Sequence, residues 1–285
     1  MSARITSLLA AAVLVAAGCT TVSTTTTTAA GPGPLVPPAP ARPAAIPDTA
    51  HDRVTASDEP DSARRSRVRL ELATAYFQRG QTTTALDQVK LAIQADPNSS
   101  EAYALRGLIY ANLGDPTLAE DSFRHALLIN PTDADAMHNF GWYLCQQRRY
   151  DEADAMFARA LAVPQYREQP RTLLAQGVCQ ASAGRLELAD QTLQRSFELD
   201  ASNPTTALNL ADVLYRRGQY ERARFYVRRV NARTELSNPQ TLWLAARIEN
   251  RLGNVQGAQD FGTQLRNRFP DSREASAFQR GAFDE

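Results

Sequence analysis

Residues 138–153 read His-Asn-Phe-Gly-Trp-Tyr-Leu-Cys-Gln-Gln-Arg-Arg-Tyr-Asp-Glu-Ala, and the spacing within them decides the fold. Gly141 and Ala153 stand 12 residues apart, with turn-forming polar residues between two amphipathic stretches. The same small pair recurs on both sides: Ala73 with Ala85, Gly107 with Ala119, Gly177 with Ala189, Ala211 with Ala223, and Ala246 with Ala258. The second member returns at intervals of 34, 34, 36, 34 and 35 residues. Self-similarity at such a period marks a stack of helical hairpins, in which small side chains sit where two antiparallel backbones approach closely.

The period is that of the tetratricopeptide repeat. Other columns agree with it. Val89, Phe123, Phe157, Leu193 and Val227 lie four places after the repeated alanine, and Ala92, Ala126, Ala160 and Ser196 seven places after it. Tyr76, Tyr110, Leu144 and Leu214 lie three places after the first small residue. Gly80, Gly114, Gly184, Gly218 and Gly253 mark turns within pairs, where a left-handed backbone costs least without a Cβ. Pro97, Pro131 and Pro270 end repeats, because proline cannot continue a helix. The fold class expected is all-α: a right-handed superhelix of about six repeats, at 66–99, 100–133, 134–167, 170–203, 204–237 and 239–272. The fourth and sixth are the weaker matches, with Ala201 in place of a terminal proline and with Glu249 and Gly262 interrupting apolar columns. Residues 273–285 are expected to form a polar capping helix and tail, since an end repeat exposes one face.

The N-terminal part differs in kind. Arg4, the apolar run 5–17 and the small residues Ala16, Ala17 and Gly18 form an export signal over 1–18, too short to span a bilayer. Cys19 follows at once, and the segment is similar to a bacterial lipobox, which implies lipidation of Cys19. Thr20 after the cysteine implies the outer membrane by the lipoprotein sorting rules, with the body facing the periplasm. Residues 19–65 carry a threonine run at 24–28, Gly-Pro-Gly-Pro at 31–34 and further prolines, so they are expected to be a disordered tether. The chain has 31 basic and 31 acidic residues, five of each before Ser66 and 26 of each after it, so neither part is a basic arm and a nucleic-acid partner is not supported.

Within the third repeat, Asn139, Gly141, Trp142, Leu144, Cys145, Tyr150, Glu152 and Ala153 follow a pattern that resembles the type IV pilus biogenesis and stability lipoproteins, the PilF/PilW-type pilotins. Leu210, Ala211, Asp212, Leu214, Tyr215, Tyr220, Ala223 and Arg224 resemble the fifth repeat of that family. The resemblance runs from 66 to 280 and includes the leader and the repeat count, while the Thr/Pro tether is longer than the family's. It implies a scaffold that helps secretin subunits reach the outer membrane and assemble there. A different cell-envelope repeat lipoprotein, an adaptor for cell-wall hydrolases or for outer-membrane assembly, is the alternative.

No motif nominates a catalytic residue, a cofactor or a small-molecule substrate. His51, His125 and His138 are scattered and expected to be solvated rather than metal-bound. Cys145 and Cys179 fall on the first helices of adjacent repeats, so a disulfide is possible there; free thiols filling a tight interface are the favoured alternative. With the first helix of each repeat lining the concave side, the partner-binding candidates are Leu70, Phe77, Leu108, Trp142, Leu174, Val178, Leu208, Tyr215, Arg216, Trp243 and Arg247. Trp, Tyr and Arg dominate binding hot spots, although Trp142 is as well suited to the inter-repeat core. A clamp for a C-terminal carboxylate would use Asn139 and Asn209, but no first helix carries a lysine. An amphipathic helix or extended segment is the better fit.

Overall fold

The computed structural model describes residues 60–283. The leader, Cys19 and the tether up to residue 59 lie outside the described residues. Among those residues there are thirteen α-helices, one short 3-10 turn at Thr234–Leu236 and no strand. Six hairpins follow in order: α1 (Asp61–Gln78) with α2 (Thr82–Ala95), α3 (Ser100–Leu113) with α4 (Pro116–Ile129), α5 (Ala134–Gln146) with α6 (Tyr150–Leu161), α7 (Gln169–Ser182) with α8 (Leu186–Leu199), α9 (Pro204–Arg216) with α10 (Tyr220–Asn231), and α11 (Pro239–Arg251) with α12 (Val255–Arg268). A last helix, α13 (Arg273–Gln279), follows. The first helix begins at Asp61, so residues 61–65, assigned to the tether by composition, are helical. Pro60 precedes the first turn, and Asp61 offers its carboxylate to the positive end of the helix dipole.

Local signals set the helix ends. Ser99, Asp133, Asn203 and Asn238 cap α3, α5, α9 and α11 by accepting from backbone N–H groups two or three residues on, and Asn238 with Thr241 forms a full capping box. Five hairpin turns place glycine at φ between 73 and 78° (Gly80, Gly114, Gly184, Gly218, Gly253). The third hairpin puts Arg148 there instead, at φ 62°, so one left-handed position is held without glycine.

The small columns do what the spacing requires. A Cβ on Gly107 would stand 2.9 Å from the Phe123 ring, one on Gly141 would stand 3.0 Å from Phe157, and one on Gly177 would stand 2.5 Å from Leu193 Cγ. Phe123, Phe157 and Leu193 are completely buried against these backbones. In these three hairpins the first helix therefore receives the large side chain of its partner into a close-packed notch. In the last hairpin the relation is inverted. Gly262 occupies the column of the large residues, and Phe278 of α13 fills the space so closely that a Cβ on Gly262 would meet its ring at 1.9 Å. The expected polar cap is thus partly apolar: α13 buries Ala275 and Phe278 to close the core.

Polar ties link consecutive repeats. Arg149 reaches Glu120 at 2.6 Å, Arg185 reaches Asp151 at 2.5 Å, and Gln176 and Gln180 both donate to Asp154. Asp190, 5% exposed, is held by Arg217 and Arg222. Glu249, which interrupts an apolar column in the sequence, is 1% exposed and accepts from Arg228 Nη2 at 2.5 Å and Asn254 Nδ2 at 2.7 Å. Removing one partner of a buried charge costs more than the pair contributes. Arg228→Ala should therefore lower stability by about 2–3 kcal/mol, whereas Glu249→Leu, which leaves Arg228 in solvent, should cost much less. Equal losses by chemical denaturation would contradict this asymmetry.

His138 is buried, against the expectation of a solvated side chain. Arg171 Nε donates to its Nε2 at 3.2 Å, which places the proton on Nδ1, facing Thr172 Oγ1 at 2.9 Å. Thr172 in turn meets Tyr166 Oη at 2.9 Å, tying the third repeat to the fourth. Burial, and secondarily the Arg171 charge, lower the His138 pKa to about 4. The unfolded chain takes up this proton first, so the contribution is complete above the ordinary pKa of about 6.5 and is lost as pH falls from there towards 4. The loss should approach about 3 kcal/mol, and His138→Gln should flatten that part of the pH–stability curve.

Candidate partner-binding groove

The first helix of each hairpin touches the first helix of the next (α1 with α3, α3 with α5, α5 with α7, α7 with α9, α9 with α11), while each second helix packs on the following first helix. The six first helices thereby form the inner wall of the superhelix. Leu70, Phe77, Leu108, Trp142, Leu174, Val178, Leu208, Trp243 and Arg247 are all partly exposed, and Arg216 is exposed. Leu108 and Trp142 lean on the core cluster around Phe123 and Phe157, and Leu174 and Leu208 on the cluster around Leu210 and Leu214. They are groove wall and core margin at once.

Tyr215 departs from the expectation of a partner-facing residue. It is 8% exposed, its ring lies against Tyr220, and the guanidinium of Arg247 covers it at 4.7 Å. Its position one turn beyond Ala211 turns it into the inter-repeat core, while Arg247 takes the surface above it. Arg216 is tethered: Nη2 donates to the Ala181 carbonyl at 3.1 Å, and Asp212 lies 3.8 Å away. Burial raises the Asp212 carboxyl above the ordinary range, and Arg216 and Arg247 oppose that shift.

Two hollows open on this wall. One, of about 260 Å³, lies over α1, α3 and α5, with a floor of Leu70, Ala104, Leu105 and Leu108 and a rim of Glu101, Asp133, Asp135 and Asn139. The other, of about 280 Å³, lies over α9 and α11, lined by Leu208, Asn209, Asp212, Trp243, Leu244, Arg247 and Glu274. Asn209 donates back to the Thr205 carbonyl at 2.8 Å, which occupies its amide within its own helix. The apolar floors and charged rims suit a polypeptide segment. Among the described residues no group of three or more His, Cys, Asp or Glu side chains could hold a metal ion; His125 is exposed, with its ring tilted against Tyr103 at 4.1 Å.

Cys145 and Cys179 are joined in a disulfide, with Cα atoms 5.8 Å apart, which replaces the favoured expectation of free thiols. The bond pins α5 to α7 along the groove wall. Sequence could place the two cysteines on neighbouring helices, but only the inter-repeat rotation brings their Cβ atoms together.

Stacked hairpins with notched crossings and an inner wall of first helices define a tetratricopeptide-repeat scaffold. The tetratricopeptide-repeat family models match residues 98–165, 138–204 and 208–275. More narrowly, the chain belongs to the PilF/PilW family of type IV pilus biogenesis proteins. It is 30% identical over 210 residues to the type IV pilus assembly protein PilF of Pseudomonas aeruginosa, spanning 74% of this chain and 83% of that protein. The crystal structure of PilW, a widely conserved type IV pilus biogenesis factor, superposes with a TM-score of 0.70 at 32% identity, over 75% of this chain and 98% of PilW. A solved structure of Pseudomonas aeruginosa PilF gives a TM-score of 0.67 at 27% identity, over 78% of this chain and all of that chain.

Proposed function

We propose that this chain is a pilotin: an outer-membrane lipoprotein, anchored through Cys19, whose repeat groove captures secretin subunits of the type IV pilus and promotes their multimerisation. The observation that carries this reading is the likeness to PilF and PilW, which spans 74–78% of this chain. The leader pattern ending at Cys19 supports the anchor, since acyl chains contribute about 0.8 kcal/mol per buried methylene and several chains hold a protein stably at a membrane.

A deletion strain tests the role. Loss of surface pili together with loss of heat-stable secretin multimers is expected, restored by the intact gene; normal multimers and normal piliation would reject it. The anchor is tested separately. Cys19→Ser should leave a folded body that no longer partitions into detergent, and unchanged partitioning would exclude lipidation as the means of attachment.

A further inference from the structure

The C-terminal half of the groove is already partly filled by the chain itself. After α13, Gly281 turns the backbone at φ 66°, and Ala282 N donates to the Ala277 carbonyl at 3.0 Å. This reversal lays Phe283 on the groove wall. Its ring stacks on Trp243, with centroids 5.3 Å apart and planes at 26°, and meets Phe278 edge-on at 5.9 Å. Its main-chain carbonyl accepts from Arg247 Nε at 3.1 Å. An aromatic side chain on an indole and a carbonyl on a guanidinium are contacts that an incoming peptide would make.

The two phenylalanines of this segment differ in how they are held. Phe278 is 8% exposed and sits in the notch at Gly262, so it belongs to the core. Phe283 is only partly buried and lies at the rim of the 280 Å³ hollow, two of whose lining residues, Trp243 and Arg247, are the ones it occupies. Asp212 and Glu274 border the same hollow together with Arg247, so its rim carries both signs of charge.

We propose that residues 281–283 are a built-in competitor for this part of the groove, and that a partner polypeptide segment carrying an aromatic side chain docks on Trp243 and Arg247 by displacing Phe283. The strap keeps an aromatic surface covered when the groove is empty and lowers the apparent affinity of any segment that must displace it. An apparent dissociation constant rises by the reciprocal of the fraction of molecules with the site open. A strap closed in nine molecules of ten therefore weakens binding roughly tenfold.

The test uses the purified chain and a labelled peptide of residues 277–285, so its outcome does not depend on the identity of the pilus partner. The peptide is titrated, up to millimolar concentration, into the intact chain and into a chain lacking residues 282–285, with helix content checked by circular dichroism. Binding to the shortened chain at least about tenfold tighter than to the intact one is expected, with a similar loss when the peptide carries Phe283→Ala. Equal affinity for both chains, indifference to Phe283→Ala or no binding to either would overturn the proposal. A second readout needs no peptide. In a Trp142→Phe background Trp243 is the sole tryptophan, and removing residues 282–285 should make its emission more accessible to acrylamide. Unchanged quenching would show that the segment does not cover it.

Discussion

Replacing Phe157 with alanine should lower the free energy of unfolding by about 3–5 kcal/mol, the range for emptying a buried aromatic site. Phe157 is fully buried, lies across the Gly141 backbone and meets His138 edge-on at 5.9 Å. The void cannot be filled from the opposite side, because Gly141 has no side chain to move into it. Solenoid stability is a sum over repeats and their interfaces, so a weakened third hairpin should also divide a single urea transition into two. A double-mutant cycle isolates the notch itself. Gly141→Ala alone is crowded, but in the Phe157→Ala background its methyl group enters the void and should recover part of the loss. Additive effects, or a loss below about 1 kcal/mol for Phe157→Ala, would show that the crossing is not tightly packed.

Breaking the Cys145–Cys179 bridge should cost about 3–4 kcal/mol, from the chain entropy regained by the unfolded state over a separation of 34 residues. The Cys145→Ala, Cys179→Ala double variant keeps apolar atoms in the interface and so measures the cross-link more than the packing. A lower denaturation midpoint in the double variant, matched by adding reductant to the parent chain, is expected. A midpoint indifferent to reductant would mean that the thiols are unpaired in solution. Both cysteines are buried in the core between α5 and α7, the helices that carry this part of the groove wall, so the bond also limits how far the third and fourth repeats can shift against each other when the groove is filled.

Much of this architecture was legible before any coordinate was known, for a definite physical reason. A repeat stack makes the same contact many times, and a crossing that must admit a bulky side chain leaves a glycine or alanine on the facing helix. Periodic spacing therefore exposed the hairpins, their turns and the apolar columns. The family pattern at Asn139–Ala153 pointed to type IV pilus proteins through local residues, and comparisons spanning 74–75% of the chain then supported it. Glu249 and Gly262 looked like defects because each is completed by a residue from elsewhere: Arg228 on the preceding hairpin and Phe278 on the last helix.

What the sequence determined by itself was everything that follows from spacing along one helix pair: the all-α class, the hairpin register, the turns and the helices that would carry the groove. Tertiary structure alone decided which residues on those helices are open. Tyr215 was turned into the core and covered by Arg247, Cys145 was brought to Cys179, His138 was buried, and Phe283 was folded back onto Trp243. Each outcome depends on the rotation between repeats or on a chain reversal after the last one. Those angles are set by the summed packing of many side chains, and no local spacing records them.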